Sequence, residues 1–169
     1  IENCTFSKSE RFIYLDLSDN PLDKHVERNV FDLFAESIKN LFLNNIDANP
    51  SEFLDFSSFK NLVSLQVSRS KFRILPGTFE SIPIYLSNLY MSQINDLNLS
   101  FLPMYKLNKL KYLDLSHNLI DWTIFSGQNN TERFFHDHPL LENVDLRNTT
   151  LKDLKCLGLS NLFGLFLLD

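Results

Sequence analysis

Leu110-Lys111-Tyr112-Leu113-Asp114-Leu115-Ser116-His117-Asn118-Leu119-Ile120 carries leucine at its first, fourth and sixth positions, asparagine at its ninth and an aliphatic residue at its eleventh. In an extended strand successive side chains point to opposite faces, so Leu113 and Leu115 share one face while Tyr112 and Asp114 share the other. The stretch Phe12-Ile13-Tyr14-Leu15-Asp16-Leu17-Ser18-Asp19-Asn20-Pro21-Leu22 follows the same pattern. Working outward from these two, the apolar triplet recurs as Ile38/Leu41/Leu43, Leu62/Leu65/Val67, Leu86/Leu89/Met91, Leu141/Val144/Leu146 and Leu162/Leu165/Leu167. From Phe12 to Leu162 the triplets start 26, 24, 24, 24, 31 and 21 residues apart.

A single repeat cannot bury its own apolar teeth. Stacking neighbours about 4.8 Å apart closes a shared interior and pairs the strands in parallel. The spacing therefore predicts one unit over residues 1–169 with about seven repeats, starting near Phe12, Ile38, Leu62, Leu86, Leu110, Leu141 and Leu162. Leu41, Leu65, Leu89 and Leu113 should stand in one column.

A self-similar period in this range resembles the leucine-rich repeat. The implied fold class is α/β: a right-handed solenoid with a curved parallel sheet on its concave face and a convex side of irregular or short helical segments. The motif Leu75-Pro76-Gly77-Thr78-Phe79 resembles the typical 24-residue class, whose phenylalanines stack into a spine under the convex side. The excess of Phe, 16 residues against one Trp, fits there. In these motifs the chain resembles extracellular leucine-rich-repeat proteins of animals, such as insect Toll-like receptor ectodomains or soluble immune proteins. That resemblance implies an extracellular protein-recognition scaffold in innate immunity or receptor signalling, secreted or part of a membrane receptor. Two other readings stay open: a structural, adhesive or self-associating repeat protein, and a cytoplasmic adaptor of the same fold.

Departures from the pattern make predictions of their own. An asparagine at the ninth position can turn inward and bond backbone groups left unpaired at the strand end. Elsewhere that position holds Ile46, Ser70, Ile94 and Thr149, so the ladder should be interrupted, with Asn45 or Gln93 as candidate substitutes. The 31-residue interval holds Trp122, then the polar residues 126–130, then residues 134–139, which read as an inserted loop and a short helical return. The last triplet lacks a return segment and a polar cap, so the chain reads as part of a longer protein, and residues 1–6 as the remnant of a strand or cap.

A net charge of -5 supplies no basic field for phosphates, which argues against nucleic acid and anionic membrane partners. The longest apolar run, residues 157–168, is too short to span a membrane. Cys4 and Cys156 stand about six repeats apart, roughly 25–30 Å along the stack, beyond disulfide reach, and should not pair with each other. Four Asn-x-Ser/Thr sequons mark Asn3, Asn98, Asn129 and Asn148 as candidate N-glycan acceptors.

No catalytic constellation emerges, and neither cofactor nor metal is expected. His136-Asp137-His138 has no third ligand at a fixed interval and reads as a solvated loop. Asp114 and Asp145 are neighbours without an adjacent nucleophile. Binding is the remaining chemistry, with a protein ligand or another leucine-rich-repeat chain as partner. The displayed third positions are Tyr14, Asn40, Ser64, Asn88, Tyr112, Asn143 and Gly164, and the fifth are Asp16, Phe42, Gln66, Tyr90, Asp114, Asp145 and Phe166. Tyr14, Asp16, Phe42, Tyr90, Tyr112, Asp114 and His117 are the candidate partner-binding residues, because aromatic rings supply large contact area at small entropic cost. Aromatics also favour strands without any partner, and the lateral edges and inserted loop are rival surfaces.

Overall fold

The computed structural model describes residues 11–22, 31–125, 134–135, 138–153 and 157–158, and the backbone of residues 166–168. Seven three-residue strands follow one another: β1 (Tyr14–Asp16), β2 (Asn40–Phe42), β3 (Ser64–Gln66), β4 (Asn88–Tyr90), β5 (Tyr112–Asp114), β6 (Asn143–Asp145) and β7 (Phe166–Leu168). They form one parallel sheet in chain order. The expected column exists: Leu15, Leu41, Leu65, Leu89, Leu113 and Val144 stand opposite one another in successive strand pairs. All but Leu15 are fully buried, and Leu43, Val67, Met91 and Leu115 complete the inner row. The molecule is a leucine-rich-repeat solenoid.

The last strand departs from the expected register. Leu167 lies opposite Val144 and Phe166 opposite Asn143, two residues later than a repeat counted from Leu162 requires. Leu165 and Leu167 are two apart in the sequence, so alternation alone does not choose between the two registers.

Each repeat continues its ladder past the strand. Leu43 N–H donates to the Gln66 carbonyl and Asn45 N–H to that of Ser68; Val67, Arg69, Met91 and Gln93 repeat the pattern one repeat further on. The chain then turns sharply at a residue of positive φ: Asp19, Asn45, Arg69, Gln93, His117 and Asn148, with φ between 52° and 58°. Each occupies the eighth position of its repeat. Left-handed backbone costs a residue with Cβ about 1–2 kcal/mol, and at Asp19, Asn45, Arg69, Gln93 and His117 the turn residue's own N–H bonds a carbonyl of the following repeat, which offsets that cost.

Asn45 and Gln93 therefore do not replace the missing ninth-position asparagines; they make the turn. The buried turns are satisfied differently. Asn118 Nδ2 donates to the carbonyls of Leu115, its own repeat, and of Met91, the preceding one, while its Oδ1 accepts Ile94 N–H at 2.7 Å. Ser70 Oγ likewise donates to the Leu43 carbonyl and accepts from Ile46 N–H. One polar side chain thus serves two repeats, which lets Ile46 and Ile94 remain apolar and buried. Thr149 Oγ1 bonds the Leu146 carbonyl of its own repeat. A second row runs at the seventh position, where Ser18 Oγ accepts Asn44 N–H, Asn44 Oδ1 accepts Ser68 N–H and Ser68 Oγ accepts Ser92 N–H.

Opposite the sheet the chain returns through single helical turns such as Pro50–Phe53, Phe56–Ser58 and Leu99–Phe101. Their first N–H groups are capped by the side chains of Asn49, Asp55 and Asn98. The turns carry the phenylalanine spine: Phe31 packs on Phe53 and Phe56 on Phe79, with centroids 6.4 and 5.6 Å apart.

Asn118→Ala leaves the Ile94 N–H and the Met91 and Leu115 carbonyls buried without that partner, and should cost about 2–4 kcal/mol in urea denaturation. Asn20, whose equivalent bonds are solvent-exposed, should cost about 0.5 kcal/mol or less when replaced by alanine. Similar losses for the two variants would refute the sharing of one asparagine between two buried turns.

Candidate binding face

Alternation along each strand aims the third and fifth positions away from the core, onto the concave side of the solenoid. The sheet draws the candidate aromatics into two groups. Tyr14 and Phe42 stack diagonally across β1 and β2, centroids 4.5 Å apart, and Tyr90 and Tyr112 do so across β4 and β5 at 4.8 Å. Tyr14 is 57% exposed; Phe42, Tyr90 and Tyr112 are half-buried. Between the pairs lie only the uncharged Asn40, Ser64, Gln66 and Asn88.

Each pair has a carboxylate beside it. Asp16 follows Tyr14 on the same face, and Asp114 follows Tyr112 and stands opposite Tyr90. Both use Oδ1 to accept the N–H two residues on, from Ser18 and Ser116, each at 2.9 Å. These short-range bonds fix the carboxylates at the strand ends.

Asp145 differs from what its fifth position suggests. It was expected on the displayed surface, but it is only 3% exposed. Arg147 folds back over it: Nε donates to both carboxylate oxygens at 3.0 and 3.1 Å, and a terminal nitrogen reaches Oδ2 at 2.6 Å. Arg147 N–H adds a bond to Oδ1. Burial alone would push the Asp145 carboxyl up; the hydrogen bonds and charge of Arg147 outweigh it and hold the group below the usual carboxylate range. Sequence reasoning overlooked Arg147, although the spacing Asp145-Leu146-Arg147 puts the two side chains on one side of an extended chain. Nearby, burial first and the fields of Asp114, Tyr90 and Asp145 next raise the Tyr112 hydroxyl above its ordinary value, while Arg147 opposes them.

His117 lies past the end of β5, at the exposed left-handed turn, with Nδ1 3.3 Å from the Asn148 side-chain nitrogen. It belongs to the descending edge rather than to the strand rows. Asn148 occupies the next such turn and is exposed. Asn98 is exposed on the return side, where its Oδ1 accepts from Ser100 N–H and Oγ. Asn3, Asn129, Cys4 and Cys156 fall outside the described residues.

The base of the inserted segment is more apolar than a polar loop implies. Trp122, Phe125 and Phe134 pack together, with Phe125 and Phe134 centroids 4.9 Å apart, and Trp122 Nε1 donates to the Thr149 carbonyl. His138, expected in a solvated loop, is buried and donates from Nε2 to the Met104 carbonyl at 3.0 Å; His136 and Asp137 lie outside the described residues. The physical reason is Phe135, fully buried next to it, which draws the end of the insertion onto the core. Among the described residues no group of three or more His, Cys, Asp or Glu could hold a metal ion, and no helix is long and apolar enough to cross a membrane.

The Asp145 carboxyl, held down in the folded chain, stabilises the fold above the ordinary carboxylate pKa, and that contribution is lost as pH falls through the lower folded value. Arg147→Ala removes the side-chain hydrogen bonds and the charge that hold the carboxyl down, and keeps only the backbone N–H bond to Oδ1. The stability gap between wild type and variant should be widest near neutral pH and narrow on acidification below about pH 4, as read by urea midpoints over a pH series. A gap independent of pH would show that Arg147 acts through packing alone.

No family model and no curated protein sequence matches the chain. Among solved structures the chain is similar to the crystal structure of an internalin from Listeria monocytogenes, with a TM-score of 0.62 at 12% identity. The match covers 92% of this chain and 41% of the internalin, so the chain spans about two fifths of that neighbour. At this identity the similarity speaks for the solenoid fold and leaves the function to the side chains that the sheet displays.

Proposed function

We propose that the chain is a protein-recognition scaffold that presents its concave face to a protein partner in an extracellular setting. The observation that carries this reading is the pair of aromatic clusters, Tyr14 with Phe42 and Tyr90 with Tyr112, each part-exposed and flanked by a carboxylate on a rigid sheet. Rings held on strands offer contact area without the entropy of ordering a loop, and such anchors dominate interface energetics. The described residues of this face offer rings and carboxylates, groups suited to holding a partner.

The extracellular setting rests on the sequons and on the resemblance of the repeats. Asn98 suits a glycan best, since it is exposed on the side away from the sheet and a sugar there leaves the concave face open. A role in innate immunity or receptor signalling extends the same resemblance.

Panning a random dodecapeptide library against the whole chain tests the binding face. Selected peptides should lose at least tenfold in affinity for the Tyr90→Ala/Tyr112→Ala double variant, with a thermal midpoint within a few degrees of wild type. Peptides that bind both proteins equally would remove the concave face from consideration. Glycopeptide mass spectrometry on protein from its native source should find Asn98 occupied; a bare Asn98 together with bare neighbouring sequons would argue for the cytoplasmic alternative.

A further inference from the structure

The two clusters are the same device used twice. Tyr14-Leu15-Asp16-Leu17-Ser18 and Tyr112-Leu113-Asp114-Leu115-Ser116 agree at every position, and in each the aspartate caps the serine N–H through Oδ1. Each tyrosine leans on a ring at the fifth position of the neighbouring inner repeat, Phe42 for the first and Tyr90 for the second. The arrangement is thus mirrored about β3, which displays only Ser64 and Gln66.

Both units are suited to a cation. Neither Asp16 nor Asp114 forms an ion pair with a described residue, and the second carboxylate oxygen of each takes no hydrogen bond among them. A guanidinium or ammonium group beside such a carboxylate, within about 6 Å of a ring face, gains from charge and from the ring quadrupole together. The chain's net charge of -5 adds a long-range attraction of the same sign. Asp145 is not a third seat, because Arg147 already covers it; the field of that guanidinium also reaches Asp114 and Tyr112, so a cation is held less strongly at the second seat than at the first.

Geometry then sets the spacing. Asp16 and Asp114 share the fifth row four strands apart, about 19 Å at about 4.8 Å per strand. An extended chain crossing the strands advances about 3.3 Å per residue and covers that distance in about six residues. Six is even, so both side chains leave the same face of the segment.

Resting on the recognition reading above, we infer that the concave face docks an extended basic segment of a protein partner. Two Arg or Lys side chains about six residues apart sit at Tyr14/Asp16/Phe42 and Tyr90/Tyr112/Asp114. Uncharged residues between them cross Asn40, Ser64, Gln66 and Asn88.

The test uses the whole chain and fluorescein-labelled peptides of Gly, Ser and Thr that carry two arginines at separations of three to eight residues, read by fluorescence anisotropy. Separation six should bind tightest, and binding should weaken several-fold from about 0.05 to 0.3 M salt. Asp16→Asn and Asp114→Asn keep an oxygen for the serine cap; each should cost about fivefold and erase the preference for spacing, since one seat remains. Glu36→Gln makes the same change of net charge at an exposed position on the return side and should change affinity less than twofold. Indifference to spacing, or an equal loss with Glu36→Gln, reduces the attraction to net charge and overturns the inference. If arginine peptides fail while library-selected peptides still depend on Tyr90 and Tyr112, the basic segment is wrong and the recognition face survives. If no selected peptide depends on those tyrosines, both readings fall.

Discussion

Every repeat in this molecule is incomplete without its neighbour. Backbone N–H groups of one repeat find their carbonyls on its neighbours, at the start of the strand on the preceding repeat and from its end to the left-handed turn on the following one, and the leucine teeth pack against the adjacent layers. A layer this thin cannot exclude water from its own apolar residues, so burial and hydrogen bonding both propagate along the stack. The rigidity that results is what makes the displayed side chains useful, because their spacing is set by strand spacing and not by loop conformation.

The polar side chains in the turns solve a problem the teeth leave behind. A sharp turn out of a short strand strands buried N–H and carbonyl groups, and leaving them unmade costs more than the bonds themselves contribute. Asn118 and Ser70 each satisfy groups of two consecutive repeats, so alternate repeats can carry isoleucine at that position. The interruption of the asparagine ladder is therefore a division of labour between neighbours. The left-handed row beside it is filled by Asp, Asn, Arg, Gln and His, which explains how a chain with only four glycines makes six such turns among the described residues.

On the displayed face, the same strand geometry sorts chemically identical residues into different roles. Asp16, Asp114 and Asp145 share one row, yet only the third is buried and neutralised by an arginine two residues on. The first two remain as carboxylates beside aromatic pairs, at opposite ends of an uncharged stretch. Under the reading proposed above, such a surface discriminates by charge and spacing at once.

The sequence by itself determined the solenoid, the number of strands and which residues face outward, because a tooth spacing of two is a property of extended chain and a shared period forces neighbouring layers into parallel alignment. It also located the aromatic and acidic residues of the face. It set the seventh strand two residues too early, with Leu165 in the place of Val144's partner; alternation treats Leu165 and Leu167 alike, and only the pairing of Leu167 with Val144 decided between them. The fate of Asp145 and His138 likewise depended on tertiary structure: one is covered by Arg147 and the other is drawn inward beside Phe135. Periodicity specifies a direction for each side chain, whereas burial and charge depend on what stands within a few ångströms of it, and that is settled only when the repeats are stacked.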